Sequence, residues 1–127
     1  MTDDARVLFD RLGGTAAVAK IVQEAYDRIM DDPMLSPFFA DTSMERLKHM
    51  QYQFLAAAFD GPVAYSGAEL TQVHAGRGIT ARHFARFCEH FADAMQSHDV
   101  NQKDLDDALA RLAIYKDRVT GDTNVGG

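Results

Sequence analysis

The sequence carries a single cysteine, Cys88, among 127 residues. A lone thiol excludes an intramolecular disulfide and fits a reducing compartment. No stretch approaches the roughly 18–20 apolar residues that a membrane span requires. The opening "MTDDARVLF" is acidic and lacks the apolar centre of a signal peptide. A cytoplasmic protein without a membrane span is therefore expected. Long runs of like charge are also missing, and 19 acids against 13 bases leave a net charge of −6. That balance favours solubility and disfavours a phosphate backbone as partner, so no nucleic acid is expected. Strand signals are weak: no clean alternating run is bounded by turns, and apolar residues recur at three and four instead. Internal repeats, a phosphate-binding glycine loop, a G-x-S-x-G elbow and paired cysteines are absent as well.

What is present is 46% hydrophobic residues, enough for a packed core, in a length that suits one domain over 1–127. The final eight residues, "TGDTNVGG" (120–127), are small, polar and glycine-rich, and are expected to form a flexible tail. Four long amphipathic helices are expected. The first follows "LGGT", with Thr15 as its cap, and carries the stripe Val18, Ile21, Val22, Ala25, Tyr26, Ile29. Pro33 and Pro37 end it. The second is expected to start with a capping box of Thr42 and Glu45, to carry Met44, Leu47, Gln51, Phe54, Leu55 and Ala58, and to stop before "DGP" at 60–62. A short helical piece follows, with Leu70, Val73 and His74 on one face and Gly76 and Gly78 ending it. The third long helix starts at Thr80 with the stripe Phe84, Phe87, Cys88, Phe91, Met95. The fourth starts near Asn101 with Leu105, Ala108, Leu109, Leu112, Val119. An ordinary bundle and a globin-like pack both satisfy this pattern.

Three polar groups interrupt the apolar stripes: Tyr26, Gln51 and His74. Burying an amide or hydroxyl without a partner costs about 1–3 kcal/mol, so each interruption needs an explanation. The plain explanation for His74 is a half-buried histidine bonded to a backbone carbonyl. For Gln51 it is an amide reaching water, and for Tyr26 a core tyrosine whose hydroxyl finds a carbonyl. No second histidine or carboxylate stands three or four residues from His74 on its helix, so a helical zinc pair is not indicated. A single imidazole on an apolar wall does suit one other task, holding haem iron from one side. A phenol and a primary amide facing one cavity can then both donate hydrogen bonds to a bound diatomic molecule. Among the other histidines, His49 lies beside its stripe, His83 is expected to cap or pack in a first turn, and His90 and His98 are expected to be solvated. Cys88 reads as a small core residue.

The motifs "LGGT" (12–15), "AYDRI" (25–29), "PFFAD" (37–41), "HMQYQFL" (49–55), "DGPVAYSG" (60–67), "VHAG" (73–76) and "ITARHF" (79–84) make the chain resemble the truncated haemoglobins, most closely their first group. The resemblance runs over roughly 7–119. Each motif is weak alone; their order and separation are specific. The resemblance implies an all-α, two-over-two globin fold around a haem. It implies His74 as the proximal iron ligand, Tyr26 and Gln51 as distal hydrogen-bonding residues, and Leu47 at the distal position where other globins often place a histidine or glutamine. It also implies that Phe39 packs on the haem and that Phe54 lines the distal side. Met50 stands where some members carry a histidine that is a sixth ligand, which leaves thioether ligation by Met50 or an approach by His49 open. Tyr115 stands where some members carry a histidine that reacts with the haem, so non-covalent haem b is expected. Asp60–Gly61 replaces the family's second diglycine, and a differently shaped corner is expected there. Leu55 stands where many members place a gating phenylalanine. The function implied is binding of O₂, NO and CO, with oxygen binding or transport as the primary reading. The alternative is nitric oxide dioxygenase-type turnover with an electron-donating reductase, and peroxidase activity also stays open. A haem-free bundle offering an apolar groove to a partner is the competing reading from another class.

Overall fold

The computed structural model describes residues 6–61 and 78–116. Among them every regular element is helical: α1 (Leu8–Arg11), α2 (Gly14–Met30), a 3₁₀ turn (Ser36–Phe39), α3 (Met44–Ala58), α4 (Ala81–Ser97) and α5 (Gln102–Ala113). α2 packs against both α3 and α4, α4 against α5, and α1 against α2 and α5. Residues 70–77, which carry the expected short helical piece and His74, lie outside the described residues, as does Val119.

α2 buries Val18, Ile21, Val22, Ala25, Tyr26 and Ile29, the stripe expected from spacing. Its start differs from expectation. Gly13 and Gly14 both take positive φ, at 116° and 76°, and Gly13 is the N-cap, with no side-chain cap bond. Thr15 is already inside the helix, because the glycine pair lets the chain turn into it two residues earlier. A Cβ on Gly13 would sit 2.5 Å from that of Ala17, so a side chain there meets strain and a clash together.

α3 also starts differently. Ser43, not Thr42, is the N-cap, and its hydroxyl accepts from the Arg46 N–H at 3.4 Å. Ser43 is the last residue with extended backbone, and that conformation decides which side chain reaches the free N–H groups. α4 begins as expected at Thr80. The Thr80 hydroxyl accepts from the His83 N–H at 3.3 Å, while the Thr80 N–H donates to His83 Nδ1 at 3.0 Å. His83 is thus a capping residue. α5 is capped by Asn101, which accepts from the Asp104 N–H at 2.8 Å, and buries Leu105, Ala108 and Leu112.

One turn, α1, was too short to leave a periodic trace, yet it buries Leu8 and Phe9. The Phe9 N–H donates to the Phe59 carbonyl at 2.9 Å, tying this turn to the end of α3. Arg11 bridges from α1 to Asp104 and Asp107 of α5, both at 3.1 Å. Arg111 of α5 donates to the Ala58 carbonyl at 3.0 Å and to Asp60 at 2.8 Å. The Asp60–Gly61 corner keeps a left-handed turn, with Asp60 itself at φ 66°. A short polar side chain tolerates that region better than most. Gly61 is needed for space: a Cβ there would lie 2.7 Å from the Phe9 ring and 2.9 Å from the Ala56 carbonyl.

The α2–α4 seam corrects the reading of two histidines. His90 Nε2 lies 2.7 Å from Asp32 and its side chain is only 12% exposed, while His98 lies against Glu24. The helices run in opposite directions, so Glu24 meets His98 and Asp32 meets His90; neither imidazole is solvated. Asp32 is itself buried and accepts from Met34 N–H at 2.9 Å and Arg86 Nε at 2.7 Å. The His90 and Arg86 hydrogen bonds hold its carboxyl well below the usual carboxylate range. A carboxylate whose pKa is depressed by folding stabilises the fold above its unfolded value, and that stabilisation is lost as pH falls. Asp32→Asn is therefore expected to be less stable at neutral pH and to lose less on acidification below about pH 4. Urea midpoints at pH 7 and pH 3.5 check it; parallel acid losses in both proteins would contradict it.

Candidate functional site

Tyr26 sits at the centre of the fold, only 2% exposed, on the face of α2 that meets the 3₁₀ turn and α4. Three phenylalanines meet its ring nearly edge-on. Phe39 of the 3₁₀ turn is 5.8 Å away at 84°, Phe87 6.1 Å at 72° and Phe91 6.0 Å at 88°. Its hydroxyl has no hydrogen-bond partner among the described residues, so the carbonyl that a core tyrosine would use is not found among them. Burial pushes the phenol pKa well above its ordinary value. It is a neutral donor over the whole physiological range.

α3 carries the next group. Its second half buries Phe54, Leu55 and Ala56, whereas Leu47, Met50 and Gln51 in the first half are half-buried. The Gln51 amide has no partner among the described residues. Phe39 is half-buried as well. Phe54 is buried and meets Tyr115, beyond α5, edge-on at 4.9 Å. The fold thus brings Tyr26 and Phe39 into contact and sets Tyr26 and Gln51 on two packed helices, while His74 lies outside the described residues.

The other histidines are occupied or turned away: His83 in the cap of α4, His90 on Asp32, His98 against Glu24, and His49 exposed. Cys88 is half-buried, and burial pushes its thiol up to about 11, so it stays protonated and is a poor nucleophile. Among the described residues no group of three His, Cys, Asp or Glu side chains is placed to hold a metal ion, and no helix is long and apolar enough to cross a membrane.

Sequence reasoning missed the part played by Phe87 and Phe91. They read as ordinary stripe residues of α4. The available signal was their spacing of four, which places both on one face of α4, the helix that packs on α2.

The chemistry fits a haem and a diatomic ligand. A neutral phenol that bonds no described residue can donate to an added acceptor, and Phe39, Leu47 and Met50 offer apolar surface that the protein leaves partly uncovered. Comparison with known proteins agrees. The profile of the bacterial-like globin family matches residues 7–121. A group 1 truncated hemoglobin of Mycolicibacterium paratuberculosis is 42% identical over 106 residues, covering 84% of this chain and 78% of its own. The truncated hemoglobin THB11 of Chlamydomonas reinhardtii superposes with a TM-score of 0.81 at 26% identity, over 96% of this chain and 99% of its own. The 2/2 hemoglobin of a Synechococcus species, solved in the cyanomet state with covalently attached heme, gives 0.85 at 26% identity, over 91% and 99%. With its helical architecture, its caged tyrosine and these relatives, the chain belongs to the bacterial-like globin family, as a group 1 truncated hemoglobin of the two-over-two fold.

Proposed function

We propose that this protein binds O₂ reversibly at a non-covalent haem b held by His74, with Tyr26 as the principal distal donor and Gln51 as its support. The observation that carries the reading is Tyr26, a side chain 2% exposed at the centre of three phenylalanine rings, whose hydroxyl makes no hydrogen bond to a described residue. Haem, when bound, supplies an iron centre that takes O₂, NO or CO. The protein does the rest. His74 would provide one imidazole nitrogen to the iron, and a carbonyl accepting from the other would fix its tautomer. Phe39, Leu47, Met50 and Phe54 supply apolar contacts that keep water away. Tyr26 donates a hydrogen bond to the diatomic molecule, and Gln51 shares or orients that bond. Tyr115 offers a phenol where the covalent-haem members of the family carry a histidine, which supports haem that extracts freely into acid solvent.

The same pocket serves binding and turnover of nitric oxide, and kinetics separates them. The O₂-loaded protein should consume NO once per haem, and continue only if an electron-donating reductase restores ferrous iron. We expect slow continued consumption when such a donor is supplied, with reversible O₂ binding as the main activity. Sustained rapid consumption with a cytoplasmic reductase would move the function to detoxification. Failure to bind O₂ in the ferrous state would overturn the proposal.

A further inference from the structure

We infer that Phe87 and Phe91, one turn apart on α4, are positioning residues that aim the Tyr26 hydroxyl. The inference rests on the reading of Tyr26 as the distal donor and extends it to residues outside that set. A buried tyrosine is normally oriented from its polar end, by the group that its hydroxyl bonds. Among the described residues none performs that task, and the contacts that hold the ring there are those of its sides. Rotation of the ring about its own long axis leaves the hydroxyl oxygen where it is. Only tilting about χ1, or movement of the backbone, displaces it. Resistance to tilt therefore decides where the donor points.

Three rings supply that resistance, and they come from two elements. Phe39 of the 3₁₀ turn stands at 84° to the tyrosine ring, while Phe87 and Phe91 of α4 stand at 72° and 88°. Edge-to-face arrangements of this kind are attractive as well as steric. The two α4 rings also hold each other, with centroids 4.9 Å apart, and Phe84 stacks on Phe87 at 6.4 Å. α4 is in turn pinned to the end of α2 by Asp32, which receives both Arg86 and His90, the residues immediately before Phe87 and Phe91. The cage is thus anchored beside each of its two α4 walls. Phe91 is fully buried, whereas Phe87 is half-buried, so Phe87 can be exchanged with less damage to the core.

The test uses Phe87→Leu in the haem-loaded protein, alone and combined with Tyr26→Phe. With Tyr26 present, O₂ release should quicken roughly three- to ten-fold, which is about 0.7–1.4 kcal/mol at 1.4 kcal/mol per decade. CO release, which depends far less on a donated hydrogen bond, should change less than about two-fold on the same scale. With Tyr26→Phe already in place, Phe87→Leu should leave O₂ release unchanged, because there is no hydroxyl left to aim. NMR relaxation of isotope-labelled Tyr26 in the diamagnetic CO complex should report a less ordered ring in Phe87→Leu. An O₂ release rate that Phe87→Leu leaves unmoved, or that rises equally in the Tyr26→Phe background, overturns the inference, as does an unchanged ring order. If Tyr26→Phe alone leaves O₂ release unchanged, the donor reading itself fails, an outcome distinct from failure of the cage.

Discussion

Replacing His74 with alanine is expected to abolish stable haem binding, giving a purified protein without a Soret band. Changes to groups that merely orient a metal ligand cost about 10–100-fold in affinity. Removing the ligand itself should cost more than that. The assignment of His74 comes from "VHAG" in its family context, and the structure supports it from the other side. Three of the remaining four histidines are engaged in the cap of α4, on Asp32 and against Glu24, and His49 is exposed. None is free to replace His74 without giving up a contact or turning inward. Imidazole added to the alanine variant should restore a haem spectrum, since a small free base can fill the space left by the side chain. Spectra identical to the unmodified protein without added imidazole would remove His74 from the ligand role.

Tyr26→Phe should accelerate O₂ release by about ten-fold to a hundred-fold. Hydrogen bonds to charged groups contribute about 1.5–3 kcal/mol, and each 1.4 kcal/mol is a factor of ten. The substitution is a clean one. Phenylalanine keeps the ring, so the edge contacts to Phe39, Phe87 and Phe91 persist. It deletes only an oxygen that no described residue uses. The haem-free fold should therefore be about as stable as before, because no hydrogen bond to a described residue is lost. A tyrosine kept for core stability would behave in the opposite way, with the melting temperature falling and O₂ release unaltered. Rapid-mixing kinetics and a melting curve on the same sample distinguish the two.

Helical periodicity carried most of the fold into view. The α2 stripe needed no correction, because its apolar residues face two packed helices and nothing interrupts them but Tyr26. The starts of α4 and α5 were legible because Thr80 and Asn101 are good caps and each stands four residues before the first large apolar residue of its stripe, Phe84 and Leu105. Thr15 and Thr42 failed as caps for a common reason. Several polar residues near a helix start can accept an N–H, and backbone conformation, set by Gly13 and Ser43, chooses among them. α1 is a single turn and has no period to detect. His90 and His98 were misplaced because a helix face tells what it presents and not what approaches it; Glu24 comes from α2 and Asp32 from the turn that follows it. In the site, Tyr26 and Gln51 stood out as polar groups on apolar stripes. Phe87 and Phe91 did not, since phenylalanine in a stripe looks the same whether it fills space or aims a neighbour.

Titration of the purified chain with ferric protoporphyrin IX, followed by absorption spectra before and after reduction, tests the central claim most directly. The account predicts a Soret band that saturates at one haem per chain, pigment that extracts into acidified organic solvent, and a ferrous spectrum of histidine-ligated iron that shifts on exposure to O₂. A chain that stays colourless, or absorbance that rises without saturation, would contradict it.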